Sequence, residues 1–214
     1  MRGISGAEKL SFSPEDRQRI VDASGTEFEV TCGCPKELFL ILGDIMAKGK
    51  MHLTKELTTD TFERLLAKNE RELLIWNENR DIYPTEDPHW KLLAETFRHT
   101  TILRILRLPD TFSRPAEFPE IQQSVTKILD VASEVPATSP LAKRLLLPLF
   151  MAGADSLIPH QRHYILMRIQ EIQDQTGFLT TAPSLLKKVW DARATQDKKD
   201  CSNVPWMEFV SIAP

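Results

Sequence analysis

The sequence predicts an all-α fold: a single helical domain of roughly eight to nine packed, mostly antiparallel helices. Three observations predict it. Apolar residues recur at spacings of three and four in one segment after another, and no stretch shows the alternation of a strand. Serine and proline stand at the starts of those segments, and glycine or proline at their ends. The loops between them are short, about 5–12 residues, which lays consecutive helices side by side.

The first helix opens at Ser13-Pro14-Glu15-Asp16, where a hydroxyl cap, a proline and two acids suit the unpaired N–H groups of a helix start. It is expected to end near Gly25. A second spans 35–48, with Leu38, Leu42, Ile45 and Met46 as its apolar stripe and Gly49 closing it. The third covers 59–77 through Phe62, Leu65, Leu66, Leu73 and Trp76. The fourth, 90–108, repeats Trp90, Leu93, Ala94, Phe97, Thr101 and Ile105 and is stopped by Leu108-Pro109-Asp110. Ile121, Val125, Ile128, Leu129 and Ala132 mark a fifth over 121–133.

Ser139-Pro140 restarts the capping logic for a helix reaching about residue 157, in which Pro148 predicts a kink or break. The seventh runs 160–176 and ends at Gly177; the eighth covers 182–192 with Leu185, Leu186, Val189 and Trp190. A last short helix is expected over 206–210, Trp206-Met207-Glu208-Phe209-Val210. The organisation that follows is an N-terminal extension with one short helix (1–30), a helical domain (31–210) and a tail (211–214).

Composition bounds the function. The 214 residues are 42% hydrophobic and 27% charged, which is enough apolar material for a core and too much for a disordered chain. A net charge of −3 with interspersed signs disfavours a phosphate-gripping surface, so no direct nucleic-acid binding by this segment is expected. Three cysteines, Cys32, Cys34 and Cys201, build no disulfide framework. No apolar run is long enough for a signal peptide or a bilayer span, so no membrane association is expected.

Candidate chemistry is sparse. Cys32-Gly33-Cys34 offers two thiolates where a structural zinc needs four ligands, and reads as a tight turn before Pro35. His160 and His163 lack a carboxylate at ligand spacing and read as a solvated first turn. The acids Glu78, Asp81, Glu86 and Asp87 fall in a proline-bearing loop, whereas a helical magnesium–diphosphate site needs them on a helix. Arg98, Arg104 and Arg107 read as a solvated helix face. No phosphate loop, serine-hydrolase elbow or zinc-protease motif occurs. No catalytic residue, metal ligand or cofactor is expected.

One ordered set of residues carries a resemblance. Leu145-Leu146-Leu147-Pro148-Leu149-Phe150-Met151-Ala152-Gly153-Ala154-Asp155 leads to Arg162, then Gly177, Leu185-Leu186, Val189-Trp190 and Trp206-Met207. Upstream stand Cys34-Pro35 before an apolar helix, and the helices beginning near Ala94 and Ile121. This series, over about residues 31–209, resembles the fungal-specific transcription factor domain, the regulatory region that follows a binuclear zinc cluster in many fungal regulators.

The resemblance implies a nuclear regulatory and interaction domain, with the cytoplasm as the other compartment, working through protein partners or self-association. A small-molecule effector, an apolar metabolite sensed among the helices, is the second implied function; a stand-alone helical enzyme, apart from the resemblance, is disfavoured by the missing ligand constellations. The family's six-cysteine head is not found in these residues, so the chain is expected to be a fragment, an incomplete gene product or a headless paralogue. Of the motif positions Pro148, Phe150, Gly153, Asp155, Arg162, Trp190 and Trp206, Pro148 is expected to set a bend and Gly153 to allow close helix approach. Trp190 and Trp206 are expected to anchor the core, and Asp155 to pair with Arg162.

Overall fold

The computed structural model describes residues 13–76, 83–108 and 114–195, together with Trp206 and Phe209. Among these residues there are nine α-helices and no strand: α1 (Pro14–Asp22), α2 (Glu27–Cys32), α3 (Lys36–Leu53), α4 (Thr59–Ile75), α5 (His89–Leu106), α6 (Pro119–Glu134), α7 (Leu146–Asp155), α8 (Pro159–Thr176) and α9 (Ala182–Thr195). A 3₁₀ turn, Ala142–Leu145, leads directly into α7. The all-α prediction is met. Cys201, Met207, the acids Glu78 and Asp81, and the Pro109-Asp110 stop lie outside the described residues.

Caps explain the clean boundaries. The Ser13 hydroxyl accepts from the Asp16 N–H at 3.0 Å while the Asp16 carboxylate reaches back to the Ser13 N–H, a reciprocal capping box. Gly177 closes α8 at φ 66°, a left-handed turn that a β-carbon would strain. Gly33 does the same for α2 at φ 74°, so Cys32-Gly33-Cys34 is a helix end. A β-carbon on Gly33 would lie 2.0 Å from Arg144 Cδ, because that side chain crosses the turn to reach the Val30 carbonyl.

Two expected boundaries fail for physical reasons. Gly49 does not stop α3, which continues to Leu53; it is buried inside the helix, where its missing side chain brings the backbone near Phe62. Pro148 does not kink a long helix. The chain is 3₁₀ up to Leu145, and Pro148 falls in the first turn of α7, where a missing N–H removes no intrahelical bond. The break therefore sits three residues upstream of the proline.

The core is organised around two helices buried on nearly all sides. Across the second half of α5 and its C-cap the whole stretch 100–107 is buried, as expected of a central helix rather than an amphipathic surface one. Thr96, Thr100 and Thr101 satisfy their hydroxyls by donating to the carbonyls of Leu92, Thr96 and Phe97 at 2.6–2.9 Å, so none is an orphan inside the core. Nine of the ten residues of α7 are buried, the exception being Leu147. This short apolar helix packs against α5 and α6 and against α8 and α9. By contrast, α1 buries no residue; an exposed Arg17–Asp44 ion pair at 3.0 Å ties it to α3.

Candidate functional site

The C-terminal end of α7 gathers most of the motif residues. A helix leaves its last carbonyls without intrahelical partners, and burial makes each one expensive unless a donor arrives. Here donors come from three other helices. Trp190 Nε1 donates to the Gly153 carbonyl at 2.9 Å, and Arg193 Nη2 to that of Ala154 at 2.7 Å, both from α9. Gln122 Nε2, from α6, reaches the Asp155 carbonyl at 2.9 Å and that of Ala116 at 2.6 Å. Arg162 Nε, from α8, meets the Ser156 carbonyl at 3.0 Å, and Arg193 Nη1 approaches the same oxygen at 3.4 Å.

Close approach makes this possible. A β-carbon at Gly153 would lie 2.9 Å from Leu186 Cδ1 and 3.4 Å from Ile165 Cγ2, so α8 and α9 sit against the backbone of α7 itself. Trp190 is 9% exposed, and its ring carries the Arg162 guanidinium 5.3 Å from its centroid.

The partner of Asp155 is not the expected one. Its Oδ1 lies 3.2 Å from Arg107 Nε, at the end of α5, with both side chains buried. Arg162 instead turns to the Ser156 carbonyl and the Trp190 ring, because its place in the first turn of α8 faces the chain reversal rather than the carboxylate. Burial pushes the Asp155 carboxyl above its ordinary range, against the opposing pull of Arg107, Arg193 and Arg104. Burial likewise lowers Arg104 to about 10, with Asp155 counteracting and Arg107 reinforcing the shift.

Arg104 and Arg107 correct a second expectation. Both are 4% exposed, so they are central to the fold and not a solvated face. Arg107 Nη1 also donates to the Arg114 carbonyl, and Arg104 Nε lies 3.1 Å from Met46 Sδ. Their three-residue spacing just before the Leu108-Pro109 stop was the available signal, because both then meet the same side of the helix end. Arg193 and Gln122 left no such signal; only the fold brings them to α7.

Phe150 and Trp206 meet elsewhere, edge to face with centroids 5.1 Å apart. They border an open groove of about 220 Å³ with Leu146, Leu147, Thr181 and Leu185. Pro148 is buried at the start of α7 and touches neither cluster's chemistry. The exposed His160 and His163 stand on the first turns of α8. Among the described residues, no group of three or more histidine, cysteine or acidic side chains could hold a metal ion, and no helix is long and apolar enough to cross a membrane.

Most of these donors and acceptors satisfy one another, which suits a structural hub joining five helices, while Arg193 Nε is buried without an acceptor. No curated protein and no solved structure matches the chain. The sequence profile described as the fungal specific transcription factor domain matches residues 1–212, nearly the whole chain and every element of the hub. The chain therefore belongs to the fungal-specific transcription factor domain family.

Proposed function

We propose that this chain is the helical regulatory body of a fungal transcription regulator, acting in the nucleus through contacts with protein partners or with a second copy. The family match over residues 1–212 carries the reading. The net charge of −3 supports it, since a surface of mixed sign is poorly suited to gripping nucleic acid unaided. Sequence-specific DNA reading is then the task of a separate zinc-cluster head, and the helical body is non-catalytic.

The groove beside Phe150 and Trp206 bears on the sensor alternative. At about 220 Å³ and open to solvent it is smaller than the roughly 300–1,000 Å³ of ordinary ligand pockets, so the interaction reading is preferred.

Fusion of the full chain to a heterologous DNA-binding module, upstream of a reporter gene in yeast, tests the proposal. Reporter output raised or lowered relative to the module alone is expected, with loss of the effect in an Asp155→Ala fusion that unfolds the hub. Output identical to that of the bare module, with the fusion present in the nucleus, overturns it.

A further inference from the structure

We propose that Arg162 and Arg193 form a binding site for a phosphate group at the junction of α7, α8 and α9. The inference goes beyond the regulatory reading and stands independently of it. Both guanidiniums are drawn to one atom, the Ser156 carbonyl oxygen, at 3.0 Å from Arg162 Nε and 3.4 Å from Arg193 Nη1. Two cations held around a single neutral acceptor repel one another. The half-buried setting weakens the solvent screening that would relieve them.

The charge inventory leaves this pair short of negative charge, since Asp155 acts on Arg107 and Arg104 as well as on Arg193. Asp155, the one fully buried acid at the hub, is bonded to Arg107. Among the described residues neither Arg162 nor Arg193 makes an ion pair, the first turn of α8 contributes no acid, and Glu117, the other acid acting on Arg193, is exposed. Donors remain as well as charge. Arg193 Nε is sequestered from solvent with no acceptor, and Arg162 uses only its Nε on the protein. Burial lowers the basicity of both side chains; at Arg162 no anion opposes it, and at Arg193 Asp155 and Glu117 offset it only in part.

Phosphate is the chemistry that fits. It brings about −1.5 to −2 charges at neutral pH to two arginines, with several oxygens for forked N–H donors. The Trp190 ring beneath Arg162 holds that guanidinium in place before the anion arrives. The phosphate can come from a free phosphate ester or from a phosphorylated side chain of a partner protein, and the two sources are separable by experiment.

Full-length protein is titrated with inorganic phosphate, and with sodium chloride at matched ionic strength, while the Trp190 indole N–H resonance and the melting temperature are followed. Phosphate is expected to shift the resonance and raise the melting temperature by binding linkage, with chloride doing neither. Arg162→Gln is expected to weaken binding about tenfold or more, equivalent to about 1.4 kcal/mol, while the circular dichroism stays unchanged. Should that variant fail to fold, Arg162→Lys, which keeps the charge and loses the fork, is expected to show the same weakening. A phosphoserine peptide binding more tightly than inorganic phosphate supports the protein source; equal binding supports the free ester. The proposal is overturned if chloride reproduces the shift, if a folded Arg162 variant binds phosphate as well as the parent, or if a glutamate peptide matches the phosphoserine one.

Discussion

Helix α5 carries two ionic clusters, one near its middle and one at its C-terminal end, and the two are built on opposite principles. Near the middle, Glu95 accepts from Arg98 Nη2 at 2.5 Å and from Nε at 2.7 Å, with His99 Nε2 at 3.1 Å, and its side chain keeps 22% of its exposure. At the far end Arg107 meets Asp155 across a helix interface, both buried. Burial would raise both carboxyls. At Glu95 the hydrogen bonds and charges of Arg98 and His99 outweigh it and bring the pKa down to about 2, whereas at Asp155 burial prevails and the pKa rises. Neighbours in sequence can supply pairing at little desolvation; a contact that joins remote helices has to bear the desolvation in full.

The largest effect expected from this contrast is at Asp155. Asp155→Ala leaves Arg107 buried without its acceptor and is expected to cost about 3–5 kcal/mol in urea unfolding. Asp155→Asn keeps an oxygen for Arg107 Nε while removing the desolvated charge, so its loss should be under half as large. Equal losses for the two variants would mean that the charge, not the acceptor, holds the interface.

Glu95→Gln is expected to cost about 1.5–3 kcal/mol at pH 7, the range for hydrogen bonds to a charged group. Its pH dependence is the sharper measurement. A folded pKa below the ordinary 4.5 stabilises the protein above pH 4.5, and the contribution disappears as pH falls from there toward 2. Asp155 works in the other direction: its raised pKa means the native state binds a proton first, so protonation of this group favours folding as pH falls. The Glu95→Gln deficit should therefore shrink on acidification from pH 5 to 2. A deficit constant over that interval would contradict the account of Glu95.

Two glycines give the smaller tests. Gly153→Ala forces a methyl to 2.9 Å from Leu186 Cδ1 inside the hub and should cost about 1–3 kcal/mol by chemical denaturation. Gly49→Ala places its methyl 3.6 Å from Phe62 Cζ, an ordinary contact within a continuous helix, and should stabilise by about 0.5–1 kcal/mol. The same substitution thus has opposite signs at the two positions, and a stabilising Gly153→Ala would show that α8 and α9 leave room for a methyl beside α7.

Helix positions were legible because local chemistry sets them. The Ser13–Asp16 box and the left-handed Gly177 act within a few residues, and the sequence displays those residues side by side. The six-residue α2 was not legible, being too short to establish a period. Gly49 misled because a glycine that ends a helix and one that admits a neighbour look the same until Phe62 is in place. At the site, Gly153, Asp155, Arg162 and Trp190 were singled out and do converge. The Asp155 partner was misassigned since Arg162 is near in sequence, while Arg107 comes from another helix. A pattern that assigns arginine to solvent could not find two arginines whose surroundings are supplied by distant segments.

The donors that close the end of α7 also decide how the molecule opens. Each exposed carbonyl would appear only when α6, α8 or α9 withdraws its side chain, so local fraying of α7 is coupled to loss of its neighbours. Amide protons of α7 should accordingly exchange with solvent deuterium only through global unfolding, at one common free energy. Those of α1, which buries nothing, should exchange early and independently. The chain would then behave as a slow cooperative block around α7 carrying a fast-opening first helix.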